Sequence, residues 1–327
     1  MLLLPNDGLP RGTLLDKLLR PKGAVAAIVA AIAGATPPLA DRLAAGLLPG
    51  DPKAIVGKND SGDAQKALDV GAHEHMVSAL GRAGVRLVLS EEAEEVICLD
   101  PDGAYDVAID PIDGSGSIGI GAPLGLLFSV LPAAPEGFLR SGRAIVAAGY
   151  ASFGHSTDFG FSLGNGVTIA TFDRDLGGFR ISHEQVQLSA QAETIAYNAS
   201  NERHWPDGLK SYALDLRAGR DGPRGRDFNM RWLAAAVGEL HRILLVGGFF
   251  MYPADRRKGY ESGRLRLIYE AGPIAFLIEQ AGGAATDGQS PILDRTPSAL
   301  HEHSPLIFGA AEEVEIVGRY LSAPSKD

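Results

Sequence analysis

Two aspartates three residues apart, Asp110 and Asp113, mark the segment of this chain with the clearest chemical signal. They follow the strand-like run 105–109, and the proline between them fixes φ and predicts a turn. Gly114 and Gly116 would then let the backbone pass close to a ligand. Strand-end acids before a loop of small hydroxyl residues suit an oxygen-ligated divalent cation beside a phosphate. An Asp-rich turn without any ligand explains the same residues equally well, since Asp, Pro and Gly dominate turns.

Acidic residues also end two other strand-like runs. The run 85–89 leads to Glu91 and Glu92, and the run 264–269 leads to Glu270. Strand ends at one edge of a sheet can converge, so these carboxylates could form one oxygen-rich site. No His or Cys lies beside them in the sequence, which favours magnesium or manganese over zinc.

Two other motifs are weaker. The run Gly114-Ser115-Gly116-Ser117-Ile118-Gly119 matches the glycine pattern of a dinucleotide-binding loop, but the two aspartates directly before it would repel a pyrophosphate. His73 and His75 lie two residues apart on a predicted helix and therefore on different faces. We interpret this histidine pair as structural or solvated rather than as metal ligands.

The composition is that of a folded, acidic protein. Of 327 residues, 45% are hydrophobic and 21% are charged, and the formal net charge is −10. Because no basic surplus is available to neutralise a phosphate backbone, we expect no nucleic-acid partner. Cys98 is the only cysteine, so no intramolecular disulfide can form and nothing indicates an oxidising compartment. The apolar run 24–35 is placed too far from Met1 for a signal peptide and is too short to span a bilayer, so we expect a cytoplasmic protein without a membrane partner.

The periodicity, with 41 Gly and 20 Pro, predicts a mixed α/β fold. A change in composition divides it into an N-terminal α+β domain, 1–185, and a C-terminal α/β domain, 186–327. The first domain should contain helices packed on a largely antiparallel sheet: two helices within 14–48 separated at Pro37-Pro38, a helix at 64–82 with Asp63 at its N-cap, a hairpin of 95–99 with 105–109, and strands at 125–131, 144–153, 158–163 and 167–172. The second should contain a strand at 194–197, a helix at 230–245, the strand 264–269 and a helix at 274–280.

The order and spacing of these motifs resemble class I fructose-1,6-bisphosphatase, within the wider superfamily of lithium-sensitive, magnesium-dependent phosphatases. The pattern covers most of the chain, and its Tyr252-Pro253-Ala254 and 265–270 segments point to the bisphosphatase branch. The matching motifs are Gly62-Asp63 with Leu68-Asp69-Val70, Leu89-Ser90-Glu91-Glu92, and the segments 110–115, 247–254 and 263–270.

The resemblance implies a two-domain fold in α/β/α/β/α layers and a homotetramer. It also implies hydrolysis of the 1-phosphate of fructose 1,6-bisphosphate with two or more Mg²⁺ ions, or Mn²⁺, per subunit. Glu91 and Asp110 would bridge the metals. Asp113 and Glu270 would complete one metal site and the Ile112 carbonyl another, while a third, more mobile metal would bind Asp63.

The same resemblance assigns the chemistry and the substrate contacts. Metals facing each other across the phosphate would polarise its oxygens and acidify a water molecule. Glu92, supported by Asp69, would accept the proton as that water attacks phosphorus in line. The implied substrate-binding residues are Asp113, Gly114, Ser115 and Gly116 for the 1-phosphate and sugar, and Asn198, Asn201, Tyr252 and Arg264 for the remainder, with Arg231 reaching the 6-phosphate of a neighbouring subunit. On a strand, Arg264 and Glu270 would lie roughly 20 Å apart at ~3.3 Å per residue and serve different ends of the substrate.

Several positions depart from the family pattern. Gly116 and Ser117 replace the usual Ser-Asn, Trp232 replaces a Tyr, and Arg264 stands where Lys is usual. The element that binds AMP in regulated members has no counterpart near the N-terminus, so we expect AMP to inhibit weakly or not at all. The changes near the 6-phosphate leave a sedoheptulose-1,7-bisphosphatase or a dual-specificity enzyme as alternatives. A non-catalytic sugar-phosphate-binding regulator is a further alternative, which the presence of both Glu92 and Asp69 disfavours.

Overall fold

The computed structural model describes residues 13–20, 22–58 and 64–322, and it stacks helices and sheets in the expected α/β/α/β/α order. The outer N-terminal helices pack on a large sheet, two helices lie between that sheet and a smaller one, and two more cover the far face. The helices are α1 (Leu15–Leu19), α2 (Ala24–Ala44), α3 (Ala67–Arg82), α4 (Asp207–Ala218), α5 (Ala236–Val246), α6 (Gly272–Gln280) and α7 (Ala311–Ser322).

The large sheet has eight strands in the order β10-β9-β8-β7-β6-β5-β3-β4. Only β3 and β5 pair in parallel, so the sheet is largely antiparallel, as the sequence predicts. A separate short hairpin of β1 (Ile55–Lys58) and β2 (Ala64–Lys66) precedes it. The strands of the large sheet are β3 (Leu87–Ser90), β4 (Ile97–Cys98), β5 (Tyr105–Asp113), β6 (Leu124–Pro132), β7 (Ala147–Phe153), β8 (Thr157–Ser162), β9 (Val167–Asp173) and β10 (Gly178–Val186).

The hairpin predicted between 95–99 and 105–109 is wrong. The short strand β4 pairs antiparallel with β3, and β3 lies between β4 and β5. A turn sequence can close a hairpin only if the two strands that it connects can lie side by side. Here β3 lies between them, and β5 is stabilised by pairing along its length with β3 and β6. The parallel pairing places Ser90 opposite Ile109, so Glu91 follows directly beside Asp110.

The prediction that the strand ends at Asp110 is also wrong, because β5 continues to Asp113. Asp110 lies opposite Leu127 and Asp113 opposite Gly125, so β5 advances three residues while β6 advances two. This extra residue is a β-bulge, which accommodates the proline within the strand. In a regular strand, residues i and i+3 face opposite sides, whereas the bulge allows both aspartates to face one site.

The N-terminal helices differ from the prediction at one point. Pro37 and Pro38 lie inside α2, which continues to Ala44 without a break. Packing against α1, α3 and β7 outweighs the lost backbone hydrogen bonds, and the His75 ring hydrogen-bonds to the Ala35 carbonyl just before the prolines. By length and composition α2 could cross a membrane, yet half of its most apolar stretch is buried, as expected for the central helix of this layer.

The small sheet has the order β12-β11-β13-β17-β15. Its first three strands are parallel and its last two pairings are antiparallel. A two-stranded sheet of β14 and β16 lies beside it. The strands are β11 (Thr194–Tyr197), β12 (Asn229–Met230), β13 (Phe249–Tyr252), β14 (Leu265–Arg266), β15 (Ala284–Thr286), β16 (His303–Ser304) and β17 (Leu306–Gly309).

Two element boundaries in the second half are corrected. The helix expected from Met230 begins at Ala236, because Met230 pairs with Ile195 in the sheet and Ala234 adopts a left-handed φ of 61°. The strand expected over 264–269 ends at Arg266, and Leu267–Ala271 form one wide helical turn of π type that leads into α6. Glu270 is therefore helical, and the separation of roughly 20 Å estimated for a strand does not apply.

Candidate active site

Three buried carboxylates lie together between the large sheet and α6. One oxygen of each of Asp110, Asp113 and Glu270 lies within 4.8 Å of the others. The three residues are 1%, 5% and 6% exposed, respectively. The sheet of the first half supplies two of them and the helical turn before α6 supplies the third, so the cluster forms only when the two halves pack together.

Backbone N–H groups hold each of these side chains in place. Ile112 donates to Asp110 Oδ1 at 2.9 Å, within the β-bulge. Val237, in the first turn of α5, donates to Asp113 Oδ2 at 2.7 Å. The amide of Arg266 donates to Glu270 Oε2. These bonds leave other carboxylate oxygens directed at the shared space.

The electrostatics of this cluster favour a bound cation. Burial, then the neighbouring Glu91 and Glu270 charges, raise the pKa of Asp110 well above its usual value. Burial and the Glu91 and Asp113 charges do the same for the pKa of Glu270. Burial raises the pKa of Asp113 to about 6, although the Val237 N–H opposes the shift. Like charges this close ionise together only if a cation compensates them, and an all-oxygen donor set suits Mg²⁺ or Mn²⁺.

Glu91 and Glu92 extend the cluster along the turn that follows β3. The Glu91 amide donates to the Ile109 carbonyl at 3.1 Å, which fixes the turn against β5. Glu91 is exposed as a residue, but its carboxyl group is crowded by protein atoms, and this desolvation raises its pKa. Burial, then the charges of Asp69 and Glu91, raise the pKa of Glu92 to about 7. A carboxylate with a pKa near neutrality is suited to accept a proton from water.

Lys66 is a site residue that the sequence analysis missed. Its Nζ lies 3.4 Å from Asp69 Oδ2 and donates to Ser115 Oγ at 3.0 Å. It therefore joins the first turn of α3 to the loop after β5. In the sequence Lys66 stands three positions before Asp69, at the start of the same helix, but a lone lysine there carries no specific signal.

Asp69 faces the same region from α3. It is 5% exposed, burial raises its pKa, and Lys66 opposes that shift. Its Oδ1 has no hydrogen-bond partner among the residues that the structure describes. A buried acceptor without a partner is costly, so this oxygen is available to a water molecule or a neighbouring acid in the site.

The loop after β5 is a tight turn whose backbone borders the cluster. Gly114 has a φ of 82°, and a Cβ there would approach the Ala235 Cβ to 3.0 Å, so glycine is required at this position. Ser115–Ser117 form one 3-10 turn, closed by the Ser117 amide on the Gly114 carbonyl. Gly116 is exposed and has open space around it, so the conformation does not require glycine there.

The residues expected at the other end of a substrate lie at the edge of the small sheet. Asn198 follows β11 and accepts a hydrogen bond from the Ser200 amide, and Asn201 is nearly buried in the next turn. Tyr252 ends β13, and its ring packs edge-on against Trp232 at 6.4 Å. Burial raises the pKa of the Tyr252 hydroxyl, Tyr260 raises it further and the Arg264 guanidinium lowers it, so these three side chains lie near one another.

Two exposed arginines stand at this end. Arg264 precedes β14, and its guanidinium lies 4.8 Å from the centre of the Tyr260 ring. Arg231 follows β12, and its side chain donates to the neighbouring Met230 carbonyl at 3.0 Å. Neither arginine forms an ion pair among the described residues, so both guanidinium groups are available to an anion.

The structure thus separates the predicted residues into two groups. One group is a set of neighbouring acidic residues with the 114–116 loop beside it: Asp69, Glu91, Glu92, Asp110, Asp113 and Glu270. Asn198, Asn201, Arg231, Tyr252 and Arg264 follow strand ends of the second half. Asp63 lies outside the described residues.

Comparison with known protein families identifies, in both halves of the chain, the family that the sequence motifs resemble. Residues 53–184 match the family model described as the N-terminal domain of fructose-1-6-bisphosphatase, and residues 188–322 match the model for its C-terminal domain. The chain is 54% identical to a class 1 fructose-1,6-bisphosphatase of Brucella anthropi over 297 residues, which covers 90% of this chain and 87% of that protein. It is 52% identical to the Brucella suis protein of the same name over 299 residues, which covers 91% and 88%.

Solved structures agree with this result. The crystal structure of Leishmania major fructose-1,6-bisphosphatase in holo form has a TM-score of 0.88 at 28% sequence identity, and the match covers 96% of this chain and all of that chain. The same enzyme in its T-state gives 0.84 at 27% identity, with the same coverage. The chain therefore belongs to the class 1 fructose-1,6-bisphosphatase family.

Proposed function

We propose that this chain hydrolyses the 1-phosphate of D-fructose 1,6-bisphosphate, giving fructose 6-phosphate and phosphate. The observation that carries the proposal is the buried Asp110–Asp113–Glu270 cluster with Glu92 beside it. The curated relatives named as this enzyme support the substrate. No covalent phosphoenzyme is required, because a water molecule can serve as the nucleophile.

The carboxylate cluster would hold the metal ions, two or more Mg²⁺ or Mn²⁺ per subunit. Glu91 directly follows β3, lies beside Asp110 on the parallel strand β5 and would share metals with it, while Asp113 and Glu270 would complete one site. The Ile112 carbonyl would contribute to another. When bound, the cations supply positive charge that stabilises the phosphoryl oxygens and makes a nearby water more acidic.

Glu92 would accept the proton of the attacking water. Its pKa of about 7 follows from burial and from the charges of Asp69 and Glu91, so it is readily both deprotonated and reprotonated near neutral pH. Asp69 would orient this group and the water, since its Oδ1 has no partner among the described residues. Lys66 would hold Asp69 in place and join it to Ser115.

The loop at 114–116 would bind the reacting phosphate through backbone N–H groups and the Ser115 hydroxyl. The 3-10 turn exposes successive N–H groups, a geometry that favours anions. Lys66 would add one positive charge at this point. We assign Asp113 to both metal and sugar, since it lies at the start of this loop.

The second phosphate would lie at the cationic end. Arg264 and Tyr252 are adjacent there, and Asn198 and Asn201 border the same sheet edge. We assign Arg231 to the phosphate of a neighbouring subunit, within a homotetramer. We also keep a cytoplasmic location as our expectation.

The proposed function is tested by phosphate release from the purified chain. We expect rapid release from fructose 1,6-bisphosphate with Mg²⁺ and none after chelation. Faster release from sedoheptulose 1,7-bisphosphate would replace the proposed substrate with the alternative one. Tight binding of either bisphosphate without any release would refute the enzymatic assignment in favour of a sugar-phosphate-binding regulator.

A further inference from the structure

We propose that Glu239 is a positioning residue that fixes the Arg231–Trp232–Leu233 segment and so sets the affinity for the phosphate that does not react. The inference rests on the proposed function, because it deepens the role assigned there to Arg231 at the phosphate in a neighbouring subunit. Glu239 lies in the first turns of α5, is 0% exposed and cannot touch a substrate. Its effect must therefore pass through the groups that it holds.

Both oxygens of Glu239 are used. Oε1 accepts the Leu233 N–H at 2.6 Å, and Oε2 accepts Arg242 Nε at 2.9 Å. Arg242 in turn donates to Thr194 Oγ1 at 2.8 Å, at the start of β11. Glu239 thus holds the Leu233 N–H directly, and Arg242 compensates its buried charge.

The segment that Glu239 holds needs such a restraint. Ala234 has a φ of 61°, which a non-glycine residue keeps only where its surroundings impose it. The Leu233 N–H is immediately before this residue, and Glu239 is its acceptor. Loss of that bond would release the left-handed turn and, with it, the direction of the chain at Trp232.

The N-terminal part of the Arg231–Trp232–Leu233 segment is anchored by two other contacts. The Arg231 amide donates to the Ile195 carbonyl at 2.8 Å, and the Trp232 ring stacks on Phe250 at 5.7 Å with an 8° angle between planes. Between these contacts, the Arg231 side chain is exposed. The position of its guanidinium is thus set by a short backbone run whose far end depends on Glu239.

The residues that follow the segment, at the start of α5, contact the proposed metal-binding cluster and its loop. Asp113 accepts the Val237 N–H, and Ala235 packs against Gly114. The first turn of α5 has no side-chain cap of its own, since its N-cap residue is Ala235. Asp113 replaces that cap from β5, and Glu239 holds the Leu233 N–H just before the helix, so the carboxylate cluster and the Arg231 segment are joined through one short run of chain.

The test compares Glu239→Gln with Thr194→Val. In Glu239→Gln, the amide N–H₂ group would face another donor, either the Leu233 N–H or Arg242, so one of these two hydrogen bonds is lost. T194V removes only a contact of Arg242 and leaves Glu239 intact. For Glu239→Gln we expect the inhibition constant of fructose 6-phosphate and the KM of the bisphosphate to rise about 10-fold. We expect the inhibition constant of inorganic phosphate, the product formed from the reacting phosphate group, to change less than about 2-fold. T194V should change none of these constants by more than about 2-fold.

A second readout follows the segment without catalysis. Trp205, the other tryptophan, is 1% exposed, so acrylamide quenching of fluorescence reports mainly Trp232. Quenching should increase in Glu239→Gln and not in T194V. Should the wild type release no phosphate, the proposed function fails, yet this quenching and the binding of fructose 6-phosphate still test the positioning role.

Three outcomes would overturn the inference. These are unchanged affinity for fructose 6-phosphate, an equal loss of affinity for both inhibitors, and unchanged Trp232 quenching. Glu239→Asp provides the test if the Gln variant does not fold, because it keeps the buried charge beside Arg242 but shortens its reach to Leu233. The Asp variant should show the same selective loss of affinity for fructose 6-phosphate. An unchanged affinity of this variant for fructose 6-phosphate would contradict the proposal.

Discussion

The two ends of the proposed substrate site are built on opposite physical principles. At the carboxylate end, Asp110, Asp113 and Glu270 are buried, and a backbone N–H donates to each. At the far end, Arg231 and Arg264 are exposed and form no ion pair among the described residues. The carboxylates at the first end repel one another unless cations bind, and the arginines at the second end attract any anion that reaches them.

This difference separates chemistry from recognition. Buried, pre-positioned groups stabilise a transition state without reorganising, whereas exposed cations contribute mainly to binding. Substitutions at the buried end should therefore lower kcat, and substitutions at the exposed end should raise KM. The following predictions test this division, beginning with the largest expected effect.

Asp110→Asn should cause the largest loss of activity. It removes one charge from the centre of the cluster, and we expect kcat to fall at least ~1000-fold, which corresponds to about 4 kcal/mol of lost stabilisation. Mg²⁺ binding measured by calorimetry should weaken in parallel. Asp173→Asn is the matched control, since this aspartate forms a surface ion pair with Arg180 and should leave both quantities unchanged. Retained activity in the Asp110 variant would contradict the division.

Glu92→Gln should lower kcat by roughly 100- to 1000-fold, because it removes the group that we propose as the proton acceptor. The KM for the bisphosphate and the affinity for Mg²⁺ should stay close to those of the wild type. A loss that appears only in Mg²⁺ affinity would reassign Glu92 from proton acceptor to metal ligand. Single-turnover kinetics at saturating Mg²⁺ distinguish the two.

Arg264→Met should raise the KM for the bisphosphate by about 10- to 50-fold, because it removes a charged partner of the second phosphate. It should change kcat by less than about 3-fold. Arg319→Met provides the control, since Arg319 lies on the exposed face of α7. A fall in kcat with unchanged KM would mean that the exposed end takes part in the chemistry.

The smallest effect concerns the stability of the metal-free protein. Burial raises the pKa values of Asp110, Asp113 and Glu270, so the folded state binds their protons more tightly than the unfolded state. This contribution is complete below about pH 4 and is lost as the pH rises, for Asp113 between 3.8 and about 6, and for Asp110 and Glu270 as the pH passes through their own raised pKa values.

We therefore expect chelator-treated protein to lose roughly 3–6 °C in Tm between pH 5 and pH 8 relative to protein with Mg²⁺. Asp110→Asn removes one of the buried charges, so its metal-free form should lose less Tm over the same range. Equal pH dependence with and without Mg²⁺ would show that the cluster is not the origin of the effect.

The sequence predicted local elements better than their pairing. Strands such as β6 to β9 and β11 were found because alternation and turn residues are local signals. The 95–99 hairpin failed because the partner of β4 is β3, a choice made by sheet assembly. The strand at 264–269 failed because Glu270 joins a carboxylate cluster in the other half, and helical geometry places it there.

The candidate site was predictable through its motif and not through its geometry. Asp110 and Asp113 stood out as a pair, but a one-residue bulge, invisible in the sequence, determines that both face one site. Lys66 was overlooked because a lone lysine has no signature without the fold around it. The anchoring of Leu233 by Glu239 was equally hidden, since it depends on a helix that begins six residues later than expected.

The bond from Val237 to Asp113 has a consequence for how the protein becomes active. It joins residues 124 positions apart and completes the first turn of α5 with a side chain from β5. Contacts of such long range form late, because the intervening chain must be ordered first. The metal-binding cluster and this helix end are therefore completed in the same step. A chain whose halves have not yet docked has neither, so the onset of cation binding at this cluster would report the end of folding.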